Sequence, residues 1–275
     1  MKLSRVTVTS NEIVMPGTHV IGLDSPHLGR SSIPGQFVHL RVGQTWDPLL
    51  RRPMSIFKIR PDGVSLLVRE VGRGSDILAR SEPGQLLDCL GPLGRGFSLA
   101  RQPGRLLMVG GGYGVAPLIA LAELALPRGA EVALLVGASS AEYVYPAPLL
   151  PPAIEYHAAT IDGSLGHRGV VTELIPRFLE WADAVYACGP HGMLESVARE
   201  CQPRPSVPVE LAMEQHMGCA MGVCLGCVTP TIHGYKRVCR DGPVFPAEEL
   251  VWRGAPPFSA TTSCLGQGWG EDDHA

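Results

Sequence analysis

A chain of 275 residues with 26 acidic and 23 basic side chains, a net charge of −3 and 45% hydrophobic residues is long enough for about two domains, each with its own core. That charge balance creates no field for a polyanion, so nucleic acid is not an expected partner. The supply of core-forming residues argues against disorder, despite 33 glycines and 25 prolines.

Residues 1–10 alternate apolar and polar side chains with no long hydrophobic run, which reads as a first strand and not an export signal. Residues 37–42, 54–59 and 64–71 are further apolar or alternating runs, separated at Pro34-Gly35, Pro61-Asp62-Gly63 and Pro83-Gly84. Short strands at this spacing predict a small antiparallel β-barrel over 1–100. From Arg105 the pattern changes. Strand-like runs at 106–109, 131–136 and 184–187 alternate with helix-like runs at 115–126, 171–181 and 193–201. This alternation predicts a doubly wound α/β domain over 101–212 with a parallel sheet. Residues 213–252, rich in Cys and Gly, read as a loop-built site, and 253–275 as a frayed tail. The whole is an α+β multidomain chain. Its longest uncharged apolar stretch, 106–122, is shorter than the ~20 residues of a membrane span and is interrupted by four glycines. No membrane helix is expected, and a cytoplasmic location follows.

Without an export signal, eight cysteines do not read as a disulfide framework. Cys89, Cys188, Cys201 and Cys264 are scattered and read as small buried hydrophobes. Cys219, Cys224, Cys227 and Cys239 cluster in the C-x4-C-x2-C…C spacing of a plant-type [2Fe–2S] site. Four thiolates must converge on two irons, and Gly218, Ala220, Gly222 and Gly226 leave room for so tight a wrap. Backbone N–H groups can then reach the sulfurs. A structural zinc site is the competing reading; zinc favours two close cysteine pairs, whereas Cys239 has no neighbour in sequence.

Val109-Gly110-Gly111-Gly112-Tyr113-Gly114 follows a strand and opens a helix, a turn whose N–H groups can meet a phosphate. Cys188-Gly189-Pro190 makes a second such turn, and ligands of open α/β sheets bind at these carboxyl ends. In the first domain, Arg51-Arg52-Pro53-Met54-Ser55 places cations and a hydroxyl at a strand mouth. Gly72-Arg73-Gly74-Ser75 leads into a short helix that Ser75 would cap. Taken singly, Arg51 and Arg52 also fit a solvated pair, and Gly72 and Gly74 an ordinary turn.

Taken in order, these motifs resemble the ferredoxin–NADP reductase superfamily. More narrowly, they resemble the electron-transfer subunits of type B dihydroorotate dehydrogenases, over about residues 3–252. Asp162-Gly163-Ser164-Leu165-Gly166 and the trailing Arg240-Asp241-Gly242-Pro243-Val244-Phe245 share in the match. The resemblance implies FAD in the barrel, with Arg52 at its phosphates, Ser55 near the ring, Pro53 and Met54 among the cofactor-binding residues, and Gly74 and Ser75 at the pyrophosphate. It implies a nicotinamide dinucleotide at Gly111, Gly112 and Gly114, with Cys188 and Gly189 near the nicotinamide; no catalytic residue is assigned, and no base suited to dihydroorotate oxidation stands in the sequence. NAD is favoured over NADP because no Lys or Arg follows Val136 in Gly137-Ala138-Ser139-Ser140. The implied partner is a catalytic dihydroorotate dehydrogenase subunit carrying FMN, in a heterotetramer of two of each. Electrons would run from FMN through [2Fe–2S] and FAD to NAD+ in pyrimidine (UMP) biosynthesis. Met54 departs from the aromatic many superfamily members carry there, and the gap before Cys239 is short. Two other readings stand beside this one: the flavin subunit of an NADH-dependent ferredoxin or sulfide reductase, and a zinc-stabilised nucleotide-binding module.

Overall fold

A computed structural model describes residues 1–43 and 47–252 of the protein. Cys264 and the tail expected at 253–275 lie outside the described residues. Six strands close a barrel: β1 (Lys2–Met15), β2 (Thr18–Asp24), β3 (Phe37–Arg41), β4 (Arg52–Arg60), β5 (Gly63–Arg69) and β6 (Leu86–Leu93). Their order is β1-β2-β5-β4-β3-β6, and β6 pairs back onto β1 so that no edge remains. Every neighbouring pair is antiparallel. Alternate residues point inward: Val6 and Val8 from β1, Ile21 and Leu23 from β2, Leu66 and Val68 from β5. Gly17, at φ +59°, turns the chain between β1 and β2. Two short helices, α1 (Pro26–Ser31) and α2 (Arg73–Ala79), lie in the connections.

A parallel sheet follows, made of β7 (Arg105–Gly111), β8 (Glu131–Ala138), β9 (Ile154–Thr160), β10 (His167–Arg168), β11 (Ala184–Cys188) and β12 (Val209–Ala212). Its helices are α3 (Val115–Ala125), α4 (Ile175–Leu179) and α5 (His191–Cys201). Strand β7 shows why both faces are covered. Leu106 and Met108 pack with α3, while Leu107 and Val109 pack with α4 and α5. Helix α3 is apolar almost all round because it lies between the sheet and barrel strand β4. The helix expected over 171–181 starts as a 3-10 turn at 171–174 and becomes α-helical only from Ile175. Pro176 accounts for the break, since a residue with no N–H fits only the first turn of a helix.

The region 213–252 is more ordered than the sequence reading expected. Strands β13 (Val228–Thr231) and β14 (Gly234–Arg237) form a hairpin, and β15 (Val244–Pro246) runs antiparallel to β12 at the sheet edge. The hairpin turn is closed by Thr231, whose Oγ1 donates to the Gly234 carbonyl at 2.6 Å and accepts from His233 N at 3.2 Å. Strands of three or four residues are too short for their alternation to show in sequence. Cys227, Val238, Cys239 and Phe245 share a core with Leu211, so this region packs directly on the sheet. No helix among the described residues is long and apolar enough to cross a membrane.

Candidate functional site

Register sets the first cleft. Cys188 of β11 pairs with Gly110 of β7, and Gly110 with Val136 of β8. Two turns far apart in sequence therefore meet at the carboxyl end of the sheet. They meet closely: a Cβ on Gly114 would lie 2.5 Å from the Cys188 carbonyl oxygen, and one on Gly111 2.7 Å from Met193 Sδ. Gly112, at φ +55°, has nothing within 4 Å on its open side. The result is a cleft of about 430 Å³ lined by Gly111, Gly112, Gly189 and Pro190 among others. Gly114 and Cys188 do not line it; they pack beneath its floor. Burial pushes the Cys188 thiol well above its ordinary pKa, so its side chain is a neutral core group and not a nucleophile facing the cleft. Glycine turns with open N–H groups and an apolar wall fit a dinucleotide.

A second cleft, of about 560 Å³, opens between the barrel and the sheet. Arg52, Pro53, Met54, Ser55, Gly74 and Ser75 all line it, brought together from β4 and α2. The two arginines that could have been a solvated pair divide. Arg51 donates to the Asp88 carboxylate and carbonyl, both at 3.0 Å. Arg52 has no carboxylate partner among the described residues and lies across Gly74, where a Cβ would come 2.1 Å from its Nε. Only glycine permits that approach. Ser75 is not the cap of α2, as expected, but its third residue. Gly72 occupies the cap, and Ser75 Oγ accepts from Val71 N at 3.0 Å and Gly72 N at 3.1 Å. A serine three residues into the helix reaches back to satisfy the N–H groups that precede it. A guanidinium bonded only to backbone carbonyls, beside a helix start, fits a pyrophosphate, and the apolar Phe37, Met54, Leu67 and Ala116 fit a flat ring. The residues present therefore suit a flavin dinucleotide.

The two clefts share a wall made of Arg69, Tyr113 and Glu214. Arg69, at the end of β5, is the one Lys or Arg among the described residues of the first cleft. It lies over the Tyr143 ring at 4.6 Å from the centroid. Sequence reading singled out none of the three: Arg69 and Glu214 stand in no motif, Tyr113 is only a spacer within the glycine turn, and each comes from a different segment.

From Glu214 the chain runs along the second cleft through His216 and Met217 and reaches Cys219. The next turns are tight, with Ala220 (φ 55°), Gly222 (φ 81°) and Leu225 (φ 57°) in the left-handed region. Non-glycine residues adopt it at a cost that functional loops tolerate. The N–H groups of Met221, Val223 and Cys224 point at Cys219 Sγ at 3.3–3.4 Å. Burial opposes ionisation of Cys219, but these donors outweigh it and bring its pKa down to about 6. Cys239 N approaches Cys227 Sγ at 3.4 Å, and burial with the neighbouring Cys227 thiol pushes Cys239 up to about 12. Arg237 braces the wrap, donating to the Gly222 carbonyl at 3.1 Å and, from Nε, to Asp241 Oδ2 at 2.9 Å. The thiols fall into two pairs, Cys219 with Cys224 and Cys227 with Cys239. Among the described residues no three donors converge as a single metal ion needs. A [2Fe–2S] cluster takes two thiolates on each iron, which these two pairs would supply.

Comparison with known proteins agrees with this geometry. Residues 214–251 match the iron-sulfur cluster binding domain of dihydroorotate dehydrogenase B. Two relatives carry the name dihydroorotate dehydrogenase B (NAD(+)), electron transfer subunit. That of Desulforamulus reducens is 39% identical over 249 residues, covering 87% of this chain and 95% of the relative. That of Bacillus caldolyticus is 41% identical over 255 residues, covering 90% and 98%. Among solved structures, an NADH-dependent reduced ferredoxin-NADP oxidoreductase superposes with TM-score 0.80 at 25% identity, covering 90% of each chain. A cytochrome P450 reductase from Amycolatopsis shares the fold at TM-score 0.61 and 24% identity, covering 76% of this chain and 69% of that one. With two clefts, a four-thiol loop and full-length relatives near 40% identity, the chain belongs to the family of dihydroorotate dehydrogenase B electron-transfer subunits.

Proposed function

We propose that this chain carries electrons from an FMN-containing, dihydroorotate-oxidising partner subunit, by way of a [2Fe–2S] cluster and FAD, to NAD+ in pyrimidine biosynthesis. One observation carries the reading: the four-thiol loop continues directly from the wall of the flavin cleft, which shares that wall with the nucleotide cleft. When bound, the flavin supplies the exchange between single-electron and hydride chemistry. The chain's own residues do the holding and orienting. Arg52 and the Gly72–Ser75 turn take the flavin pyrophosphate, and Met54 and Ser55 border its ring. Gly111, Gly112 and Gly189 leave backbone open to the dinucleotide, Gly114 and Cys188 support them from below, and Arg69 brings the positive charge. Cys219, Cys224, Cys227 and Cys239 hold the cluster, and the N–H groups around Cys219 stabilise its reduced, more negative form.

Three units follow: the flavin barrel at 1–100, the nucleotide domain at 101–212 and the cluster region at 213–252, followed by the tail. A cytoplasmic location goes with this reading, in which the thiols must stay reduced to meet iron. The ferredoxin or sulfide reductase reading shares the architecture, but the relatives near 40% identity carry the dihydroorotate name.

The direct test joins the purified chain to an FMN-containing dihydroorotate dehydrogenase and follows dihydroorotate-dependent NAD+ reduction. The complex should reduce NAD+ and this subunit alone should not; a complex with all its cofactors that leaves NAD+ unreduced overturns the assignment. Cys224→Ser should remove the cluster's visible absorbance while FAD stays bound. It should also stop dihydroorotate-driven flow while NADH still reduces an artificial dye.

A further inference from the structure

A hydride is two electrons and one proton. Electrons that cross a two-iron cluster come singly and bring no proton with them. For each NAD+ reduced, one proton must therefore enter the flavin cleft of this subunit from one of its own groups or from water. The inference rests on the function proposed above.

The proton-bearing side chains that line both clefts, where flavin and dinucleotide would meet, are Arg69, Tyr113 and Glu214. Arg69 stays charged at any working pH. The Tyr113 phenol is pushed above its ordinary pKa, by the Glu214 charge first and burial second, so it keeps its proton. Glu214 differs from both. Its side chain opens into the cleft space and has no hydrogen-bond or ion-pair partner among the described residues. Partial desolvation by the cleft walls raises its carboxyl above the usual carboxylate range. The groups around it are few. Tyr113 faces it from the β7–α3 turn, the neutral Cys188 thiol lies behind at the end of β11, and Arg69 stands at the end of β5. His216 follows on its own segment, and Arg52 and Arg73 line other parts of the flavin cleft. No cation is paired with Glu214, so nothing holds it permanently ionised.

We propose that Glu214 is the proton donor of the flavin cleft, its carboxyl giving up one proton for each pair of electrons that arrives from the cluster. Per turnover, the O–H bond at a Glu214 Oε breaks and an N–H bond on the bound ring forms. Two electrons enter from the cluster side, the hydride leaves to NAD+, and the carboxylate recovers its proton from water. Its place on the shared wall lets the proton enter beside the point where the hydride leaves.

Glu214→Gln keeps the shape and removes the proton. In complex with the FMN subunit, the variant should keep parental iron, acid-labile sulfide and FAD, with NADH affinity within about twofold. Stopped-flow reduction of its flavin by dihydroorotate should slow by about 10²-fold, within the range for loss of general acid catalysis, and Glu214→Asp should recover part of the rate. The parental rate should fall as pH rises through the Glu214 pKa, and that limb should be missing from the Gln variant. A readout without turnover is the flavin midpoint potential of the isolated holo-subunit against pH. The parental curve should bend where Glu214 ionises, and the variant's should not. A Gln variant with the parental rate, pH limb and potential curve overturns the proton assignment alone. A parental protein that binds no FAD overturns the function itself.

Discussion

His39 lies in β3 with no solvent exposure, and neither ring nitrogen has a hydrogen-bond partner among the described residues. Burial first, then the charges of Arg51 and Arg52, lower its pKa to about 4. The folded protein therefore keeps this ring neutral, whereas an unfolded histidine protonates near 6.5. Between those values the unfolded chain binds more protons, so stability falls as pH drops from about 6.5 toward 4. The loss is on the order of 3 kcal/mol at its limit. His39→Phe removes the titration from a similar volume and should flatten the pH dependence of urea unfolding across that window; parallel curves would contradict the assignment. In sequence His39 is one more residue of an apolar run. Its isolation arises when β3 is enclosed between β4 and β6.

Helix α2 shows how a local element serves the site. Its seven residues are too few to be stable alone, and Ser75 holds its entry by accepting from Val71 N and Gly72 N. Ser75→Ala leaves those donors without that acceptor at a buried position. It should cost about 1 kcal/mol, the usual scale for a lost helix-start bond, and weaken FAD retention. Thermal unfolding together with fluorescence titration of released FAD checks both effects; unchanged FAD affinity would mean the turn does not shape the cleft. The glycines, the serine and the helix start of this segment were readable in sequence. The role of Ser75 was not, because a serine beside glycines fits either the cap or the third position, and only the backbone path separates the two. The cluster loop was readable for a related reason. Its ligand spacing must satisfy a geometry imposed by the iron, within a few residues of chain.

Barrel and sheet meet through α3 and β4, where Lys58 and Arg60 approach the Glu123 carboxylate at 3.6 and 2.9 Å and Phe57 packs on Tyr145 at 5.8 Å. This contact sets the relation of the two clefts. On the outer side of the cluster loop, Met221, Val223 and Leu225 are 44%, 75% and 61% exposed. Apolar side chains grouped around a redox group, on a subunit whose electrons come from another protein, fit a docking face. Leu225→Glu should abolish assembly with the FMN subunit by light scattering while iron and FAD content stay parental. Retained assembly would place the interface elsewhere.

Composition, strand spacing, glycine turns and cysteine spacing were enough to predict the barrel, the α/β domain, an iron–sulfur region and part of each cleft lining. Each of these signals is local: a turn, a cap or a ligand loop is completed within a few residues, so its chemistry is written in adjacent letters. The wall of Arg69, Tyr113 and Glu214 carries no such signal as a group, although Tyr113 sits within the glycine turn. Its members come from a barrel strand, a sheet turn and the approach to the cluster, and they meet because α3 is packed between barrel and sheet. The buried thiol of Cys188, the neutral ring of His39 and the unpaired carboxyl of Glu214 belong with that wall. Burial and pairing are properties of the packed chain, and no residue carries them alone.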